Sequence, residues 1–223
     1  MSARILAVDT TTEFGSLALV EDGRVLDELP LHSPSGFAHV LFEHLERLLA
    51  RRGWELAAID CFAAAAGPGS FTGVRVGLAA VKGLAEALGR PVAAVSNLRA
   101  IASLGVEPLR AALVDARKGE IYGAVYDAAL EVVRPETVMR FPAWLEALPS
   151  GRLEFLSTDL APFRPALETG RFRGLPKREV PRALAGAVGR IAALEFAQGR
   201  AAGPAAVDAN YVRRSDAELY WKE

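Results

Sequence analysis

The feature that most restricts the fold is an Asp-Gly pair, Asp22 and Gly23, placed between apolar-rich runs at 15–21 and 24–31. A two-residue type I′ turn needs positive φ at both central positions, and Asp-Gly is one of the few pairs that adopt it readily. Another apolar run, at 4–10, precedes them. The chain is therefore predicted to open with three consecutive antiparallel strands.

The residues after these strands alternate between helical and extended patterns. In the segment 37–52, apolar residues recur at three- and four-residue spacing, which predicts an amphipathic helix that ends at Gly53. The sequence then predicts a buried strand at 59–66, a helix at 74–88, a short strand at 91–95 and a helix at 97–104 with Asn97 as its N-cap. Three antiparallel strands followed by helix, strand, helix and strand is the order of a ribonuclease-H-like unit.

The pattern starts again in the second half of the chain. Strands are predicted at 109–115, 120–126, 131–138 and 153–157, and helices at 142–148 and 181–198. The predicted fold is α/β, with two tandem ribonuclease-H-like lobes of the actin-like (ASKHA) superfamily, each a mixed sheet flanked by helices. We place the lobes at 1–104 and 105–207, expect 208–223 to pack back on the first lobe, and expect 158–180 to be irregular and exposed.

Composition and charge narrow the class of protein. With 26 basic and 27 acidic side chains, the net charge of −1 gives no general affinity for nucleic acid, although the segment 171–178 is locally basic. A single cysteine, Cys61, lies in an apolar run, which excludes an internal disulfide and indicates a buried thiol. No stretch approaches ~20 apolar residues, and no leader precedes the first strand, so we expect a cytoplasmic protein that does not enter a membrane.

The most distinctive motif is the glycine-rich string GPGSFTGVRVG at 67–77, between a predicted buried strand and a predicted helix. Backbone N–H groups and the helix dipole favour an anion at such a junction. A phosphate-binding P-loop would need a glycine at position 72, where this chain has Thr72, and the dinucleotide spacing fails at the same residue. Two interpretations remain open: a tight turn in which Ser70 or Thr72 caps the helix, or an anion site.

Three stretches together resemble the TsaB (YeaZ) family, which has also been described as glycopeptidase-like. They are RILAVDTTTEFGSLAL from residue 4, GPGSFTGVRVG from residue 67 and VDARKGEIYGAVYD from residue 114. The resemblance implies two ribonuclease-H-like lobes and partnership with a TsaD-like catalytic paralogue and a TsaE-like ATPase. It also implies a complex that transfers a threonylcarbamoyl group to the adenosine adjacent to the anticodon of tRNAs that read ANN codons. The family's role there is that of a non-catalytic scaffold, so tRNA would meet this chain through the complex.

The residues bear on whether the chain holds a nucleotide by itself. An active member of the superfamily has a phosphate-binding hairpin in each lobe, yet the first turn here, Asp9 to Glu13, lacks glycine, and the second carries Arg117 and Lys118. We therefore predict no cofactor held by this chain alone, no catalytic residue, and ATP or ADP only at an interface with the partner. A degenerate nucleotide or anion site would comprise Asp9, Thr11, Gly67, Gly69, Ser70 and Gly73, and the alternative for Asp9 is a carboxylate that caps turn amides.

Other chemistries are less well supported. His39 and His44 are five residues apart, about 140° around a helix, so they cannot face one metal ion. His39 and Glu43 have suitable spacing, but such pairs are common on exposed helices, and we predict no metal site. The alternatives to a scaffold are a stand-alone ATP-binding phosphotransferase and a peptidase-like enzyme of the same fold, and for the latter no nucleophile–base pair is recognisable.

The helix predicted at 74–88 carries two distinct faces. One is apolar, and the other repeats small residues at four-residue spacing: Ala79, Gly83 and Ala87. Small residues let a second helix approach closely. With Arg75, and with Val40 and His44 of the preceding helix, they are predicted to form a partner interface that also makes a homodimer when the chain is alone. The alternative is packing against the helix at 37–52 within the same lobe.

Overall fold

The computed structural model describes residues 2–212. Within that range the chain forms ten strands and six α-helices. In chain order they are β1 (Arg4–Asp9), β2 (Phe14–Glu21), β3 (Arg24–His32), α1 (Leu41–Arg52), β4 (Cys61–Ala65), α2 (Phe71–Leu88), β5 (Val92–Val95), α3 (Asn97–Ala102), β6 (Leu109–Arg117), β7 (Glu120–Asp127), β8 (Val132–Arg140), α4 (Phe141–Glu146), β9 (Leu153–Ser157), α5 (Arg164–Leu167), β10 (Lys177–Glu179) and α6 (Ala185–Ala197). None of the helices within residues 2–212 is both long and apolar enough to cross a membrane.

The first sheet has the strand order β3-β2-β1-β4-β5. Its first three strands are antiparallel neighbours, and the turn between β2 and β3 places Asp22 at φ 49° and Gly23 at φ 75°. Both positive angles confirm the predicted hairpin. β4 then pairs with β1, and β5 with β4, in parallel, so the carboxyl ends of these three strands lie at one edge of the sheet.

The second sheet repeats this arrangement, with the order β8-β7-β6-β9-β10. β6, β7 and β8 form the antiparallel part, and β9 and β10 add in parallel. Helix α4 packs on one face, where its Trp144 joins a core with Phe155 and Val125. Two copies of one strand order confirm the prediction of two tandem ribonuclease-H-like units.

Helices cover both faces of the first sheet. Successive residues of a strand point to opposite faces. Leu6 and Val8 therefore belong to the core shared with α1 and α2, whereas Ala7 and Val20 lie against Gly189 of α6. β1, β2, β4 and β5 are largely buried on both sides, which explains their nearly continuous apolar sequence, whereas β3 is only partly buried.

The position of α6 corrects the predicted lobe boundaries. We expected 105–207 to form the second lobe, but the chain divides into a first unit that reaches Ala100 and resumes at Arg182–Asn210, and a second unit that contains Ile101–Pro181. The first sheet supplies the caps of α6, because Ser16 Oγ accepts a hydrogen bond from Ala185 N (2.9 Å) and Glu28 Oε1 accepts one from Gly186 N (2.8 Å). Sequence periodicity finds such a helix but does not show which sheet caps it.

The expected return of 208–223 to the first lobe is tested only in part. Residues 208–210 belong to the first unit, where Asn210 N donates to the carbonyl oxygen of Ala66 at 2.9 Å. Residues 211 and 212 belong to the second unit, so the expectation is wrong for them, and residues 213–223 lie outside the described part of the chain.

Three local predictions also need correction. Helix α1 begins at Leu41 rather than at 37, because Val40 N and Leu41 N both bond to the Phe37 carbonyl and form a turn there. Helix α3 ends at Ala102 rather than at 104, and its cap is Ser96, whose Oγ accepts from Leu98 N at 3.1 Å. The segment 158–180, expected to be irregular, contains α5 and β10.

A pair of glycine substitutions tests how α6 is seated. A Cβ added at Gly189 would lie 2.5 Å from Val20 Cγ2 and 3.2 Å from Ala7 Cβ, whereas one at Gly83 of α2 would meet open space. Gly189→Ala should lower the free energy of unfolding by about 1–3 kcal/mol through overpacking. Gly83→Ala should raise it by up to ~1 kcal/mol through helix propensity. Urea unfolding measures both, and equal stabilisation by the two variants would show that α6 does not contact β1 and β2 closely.

Candidate functional site

Three loops meet at the edge of the first sheet where β1, β4 and β5 end. Because these strands are parallel neighbours, the residues that follow them lie side by side. The loops carry Asp9 to Thr12, the start of the glycine-rich string, and Asn97. The edge therefore brings together Asp9 and Thr11 of the predicted site with its glycine-rich part.

A chain of buried hydrogen bonds joins the three loops. Asp9 Oδ1 accepts from Thr11 N at 2.9 Å and from Thr11 Oγ1 at 2.6 Å. Thr11 Oγ1 in turn accepts from Asn97 Nδ2 at 2.7 Å, and Asn97 Oδ1 accepts from Gly67 N at 2.9 Å. Asn97 N also donates to the Gly67 carbonyl at 2.9 Å. These hydrogen bonds connect the side chains of Asp9, Thr11 and Asn97 to one another and to the backbone of Gly67.

Asp9 is 1% exposed, and this burial shifts the pKa of its carboxyl group. Loss of solvation raises the pKa of Asp9 to about 6, although the two hydrogen bonds from Thr11 oppose this effect. The negative charge of Glu28 raises the pKa further. At neutral pH Asp9 is mostly ionised and buried, which the hydrogen bonds from Thr11 make tolerable.

The glycine-rich string packs against the Thr10–Thr11 turn. A Cβ at Gly69 would lie 2.6 Å from the Thr11 carbonyl oxygen, and one at Gly77 would lie 2.6 Å from Thr10 Oγ1. A Cβ at Gly73 would overlap the Thr10 carbonyl. Glycine is therefore needed at these three positions because the strand-end turn packs against the loop before α2 and against the first two turns of the helix.

Several backbone N–H groups of the string donate hydrogen bonds to other groups of the protein. Ser70 N bonds to the Thr11 carbonyl at 2.7 Å, Gly73 N bonds to Ser70 Oγ at 3.3 Å, and Gly67 N bonds to Asn97. Ser70, rather than Thr72, is therefore the cap of α2. The string forms the tight turn that was one of the two sequence interpretations, and anion binding by Asp9, Gly67, Gly69, Ser70 and Gly73 stays a prediction.

Sequence reasoning missed two members of this cluster. Asn97 was taken for a helix cap, but it links the glycine-rich turn to Thr11. Thr10 Oγ1 donates to the Gly73 carbonyl at 2.7 Å. Their positions in the sequence could have identified them, because Thr10 and Asn97 each come within two residues of the end of a strand in the parallel part of the sheet.

The second unit has an equivalent turn after β6, with different side chains. Asp115 Oδ1 accepts from Arg117 N at 2.8 Å, two residues on, as Asp9 does from Thr11. Here the carboxylate is partly exposed, and Arg117 (φ 68°), Lys118 (φ 54°) and Gly119 (φ 75°) are all left-handed. A residue other than glycine costs roughly 1 kcal/mol in this conformation, so the turn keeps two cations at positions that glycine or asparagine would fill with less strain.

The locally basic segment 171–178 uses most of its cations inside the second unit. Arg171 donates to the carbonyl of Leu145, at the end of α4, at 2.9 Å. Lys177 Nζ donates to three carbonyl oxygens of its own loop at 3.0–3.1 Å, and Arg178 Nε pairs with buried Glu154 at 3.2 Å. These three side chains stabilise the loop.

The small-residue face of α2 points to solvent. Arg75, Ala79, Gly83 and Ala87 are exposed, and no atom of the described chain lies within 4 Å of a Cβ placed at Gly83. At the first turn of the same helix, the Arg75 guanidinium lies 3.4 Å from the ring centroid of Phe71, itself 45% exposed. Packing of this face against α1, the intramolecular alternative, is therefore wrong.

The predicted contributors from the preceding segment are less exposed. Val40 and His44 are half-buried, and His44 Nδ1 is buried without a hydrogen-bond partner among the described residues. His39 and Glu43 are exposed, and residues 2–212 contain no cluster of three His, Cys, Asp or Glu side chains able to hold a metal. Cys61 is fully buried, and burial raises the pKa of its thiol to about 12, as expected for a structural thiol.

The pKa of Asp9 gives a pH-dependent prediction. Its folded value near 6 exceeds the ordinary value near 4. Stability from protonated Asp9 is therefore full below about pH 4 and is lost as the pH rises through about 6. Asn can accept the same hydrogen bonds without charge, so Asp9→Asn should be more stable than the parent at pH 7.5, by up to about 2–3 kcal/mol, and should lose that advantage near pH 4.

Urea unfolding at both pH values measures this difference, and Asp115→Asn at the exposed counterpart turn is the matched control for loss of a turn carboxylate. An advantage of Asp9→Asn that is the same at pH 4 and pH 7.5 would contradict the assignment.

Both the sequence and the fold of this chain match those of known proteins. The family profile described as "TsaD: tRNA N6-adenosine threonylcarbamoyltransferase" matches residues 30–156, more than half of the chain. The Escherichia coli protein named tRNA threonylcarbamoyladenosine biosynthesis protein TsaB is 39% identical over 128 residues, which cover 55% of this chain and 54% of that protein. The Bacillus subtilis protein of the same name is 32% identical over 149 residues, or 65% of each chain. The matched stretch thus spans only about half to two thirds of these relatives.

A solved structure extends the likeness over both units. YeaZ from Pseudomonas aeruginosa superposes with a TM-score of 0.78 at 28% identity, and the match covers 94% of this chain and 99% of that one. The chain therefore belongs to the family of the tRNA N6-adenosine threonylcarbamoyltransferase TsaD, and its resemblance to the TsaB (YeaZ) proteins is confirmed.

Proposed function

We propose that this chain is a non-catalytic scaffold subunit of a cytoplasmic complex that modifies tRNA. The complex transfers a threonylcarbamoyl group to the adenosine adjacent to the anticodon of tRNAs that read ANN codons. The names of the E. coli and B. subtilis relatives support the pathway. The structural observation that carries the non-catalytic role is the hydrogen-bonded edge of the first sheet.

At that edge, the groups that could meet a phosphate already bind each other. Asp9 accepts two hydrogen bonds from Thr11, and the amides of Gly67 and Ser70 are donated to Asn97 and to the Thr11 carbonyl. Opening this cluster for a nucleotide would leave buried polar groups without partners, which costs free energy for each group. This end of the first sheet is therefore better suited to holding its three loops together than to binding a phosphate.

The equivalent edge of the second unit also lacks a phosphate cradle. Its turn places the long side chains of Arg117 and Lys118 where a small, glycine-lined turn would let the backbone approach a phosphate. Accordingly the chain alone holds no cofactor in this proposal, and ATP or ADP binds only where a TsaD-like catalytic paralogue completes a site. A TsaE-like ATPase is the other proposed partner.

The proposed partner interface is the exposed face of α2 together with the neighbouring part of α1. Ala79, Gly83 and Ala87 leave a shallow surface on which a second helix can lie close, and the stacked Phe71 and Arg75 border it. Aromatic and arginine side chains are common at the centre of interfaces. In the absence of the catalytic partner, the same face would make a homodimer.

Reconstitution tests the scaffold role. The purified chain is mixed with TsaD-like and TsaE-like proteins from its own source, the synthase that makes the threonylcarbamoyl-adenylate, ATP, threonine, bicarbonate and tRNA. Formation of the modified nucleoside, measured by mass spectrometry, should require this chain. Equal modification without it would disprove the role, and micromolar ATP binding by the isolated chain in calorimetry would favour a stand-alone phosphotransferase instead.

The interface is tested by large substitutions on the small-residue face. Ala79→Arg and Gly83→Arg should each weaken homodimerisation and binding of the TsaD-like partner by tenfold or more, because a long side chain blocks close helix approach. Since both positions are exposed, the melting temperature should change by no more than a few degrees. Analytical ultracentrifugation and thermal unfolding give the two readouts.

Gly203→Arg is the matched control, because Gly203 is also exposed and open to solvent in the first unit but lies outside α1 and α2. Parallel loss of folding stability and association in the α2 variants would contradict an interface at this face.

A further inference from the structure

Three cationic side chains gather at the tip of the β6–β7 hairpin and the adjoining end of β8. Arg117 and Lys118 form the turn, and the Arg117 side chain is 88% exposed. Arg140, the last residue of β8, pairs in register with Glu120, and its guanidinium Nη1 lies 3.5 Å from the Lys118 carbonyl. The tip therefore presents a compact group of exposed positive charges.

Several other cations of the second unit are engaged elsewhere. Arg152 pairs with Glu107 at 2.9 Å, Arg178 pairs with Glu154 at 3.2 Å, and Lys177 donates to loop carbonyls. In the hairpin, Lys118 has no ion-pair partner among residues 2–212, and the nearest carboxylate oxygen to Arg117 is that of Asp115, at 4.0 Å. The charges at the tip are thus available to an anion, with the Arg117 side chain 88% exposed.

The backbone of the turn reinforces this view. Arg117 and Lys118 occupy left-handed positions that asparagine or glycine fills with less strain. The Asp115 carboxylate holds the Arg117 amide, and the Gly119 carbonyl accepts from Phe141 N at 3.2 Å, so the turn is fixed at both ends. The backbone that carries the two cationic residues is therefore fixed, and the Arg117 side chain extends into solvent.

We propose that Arg117, Lys118 and Arg140 form a contact for the phosphodiester backbone of RNA, without readout of base sequence. A single nucleotide would need a concave site that buries most of its surface, which an exposed hairpin tip does not supply. A polyanion instead engages several cations at once and gains from the release of its counterions. Naming tRNA as that RNA rests on the proposed function, whereas the contact itself rests on the hairpin.

The test uses the full chain and an unmodified tRNA transcript, with binding measured by fluorescence anisotropy at several salt concentrations. Arg117→Asn/Lys118→Asn should weaken binding on the order of tenfold to a hundredfold and flatten the slope of log K against log salt by about 2. The same variant should melt about 2–4 °C higher than the parent, because asparagine tolerates left-handed angles better. Opposite changes in RNA affinity and stability are the signature of a functional turn.

Arg24→Gln/Arg164→Gln removes the same charge from exposed positions outside the hairpin and is the matched control. It should bind tRNA within about twofold of the parent. Equal losses in the two double variants would overturn the proposal in favour of non-specific charge, and so would unchanged affinity in the hairpin variant. Displacement of tRNA by submillimolar ATP would overturn it in favour of a nucleotide site.

The proposed function has a separate readout. If modified nucleoside forms without this chain while the hairpin variant still loses RNA affinity, the scaffold role fails and the RNA contact stands. If modification requires the chain but the hairpin variant binds tRNA normally, the RNA contact fails and the scaffold role stands.

Discussion

The hydrogen bonds that run from Asp9 through Thr11 and Asn97 to Gly67 hold the first unit together at its functional edge. They connect the ends of three parallel strands, and each link lies in the protein interior, where an unmade hydrogen bond is expensive. The orientation of α2 depends on them, because the loop that begins this helix is fixed at Gly67 and at Ser70. A buried carboxylate is tolerated at the centre because its turn supplies the hydrogen bonds that water would otherwise supply.

This joint accounts for the glycines of the motif by packing alone. Gly69, Gly73 and Gly77 are small because the Thr10–Thr11 turn lies against them, and Gly73 and Gly77 lie about one turn apart on α2. The first-unit edge is therefore closed by its own side chains, while the opposite side of α2 is left open to solvent. In this proposal, the partner binds at the exposed face of α2. The hydrogen-bonded loops at the strand ends fix the orientation of that helix.

The two units share one hydrogen bond at the turn after their first strand but differ in the rest of that turn. In both, an aspartate near the end of the first strand accepts from the amide two residues on. In the first unit the carboxylate is buried and its neighbours are threonines, which suits an internal joint. In the second unit the carboxylate is partly exposed and its neighbours are Arg117 and Lys118, which suits contact with an anion. Side-chain chemistry, rather than topology, separates the two roles.

The sequence by itself determined the order of strands and helices along the chain, the Asp22–Gly23 hairpin and the repeat of the pattern in the second half, because these follow from local periodicity and from turn residues with restricted φ. It also located the glycine-rich turn, but it left open what that turn does. Only the tertiary structure decided three other features. Side chains of the first sheet cap α6, Asn97 bridges two loops, and the small residues of α2 face solvent. Each of these depends on contacts between segments distant in sequence, such as Ser16 with Ala185, and local periodicity carries no information about which distant surface an element will meet.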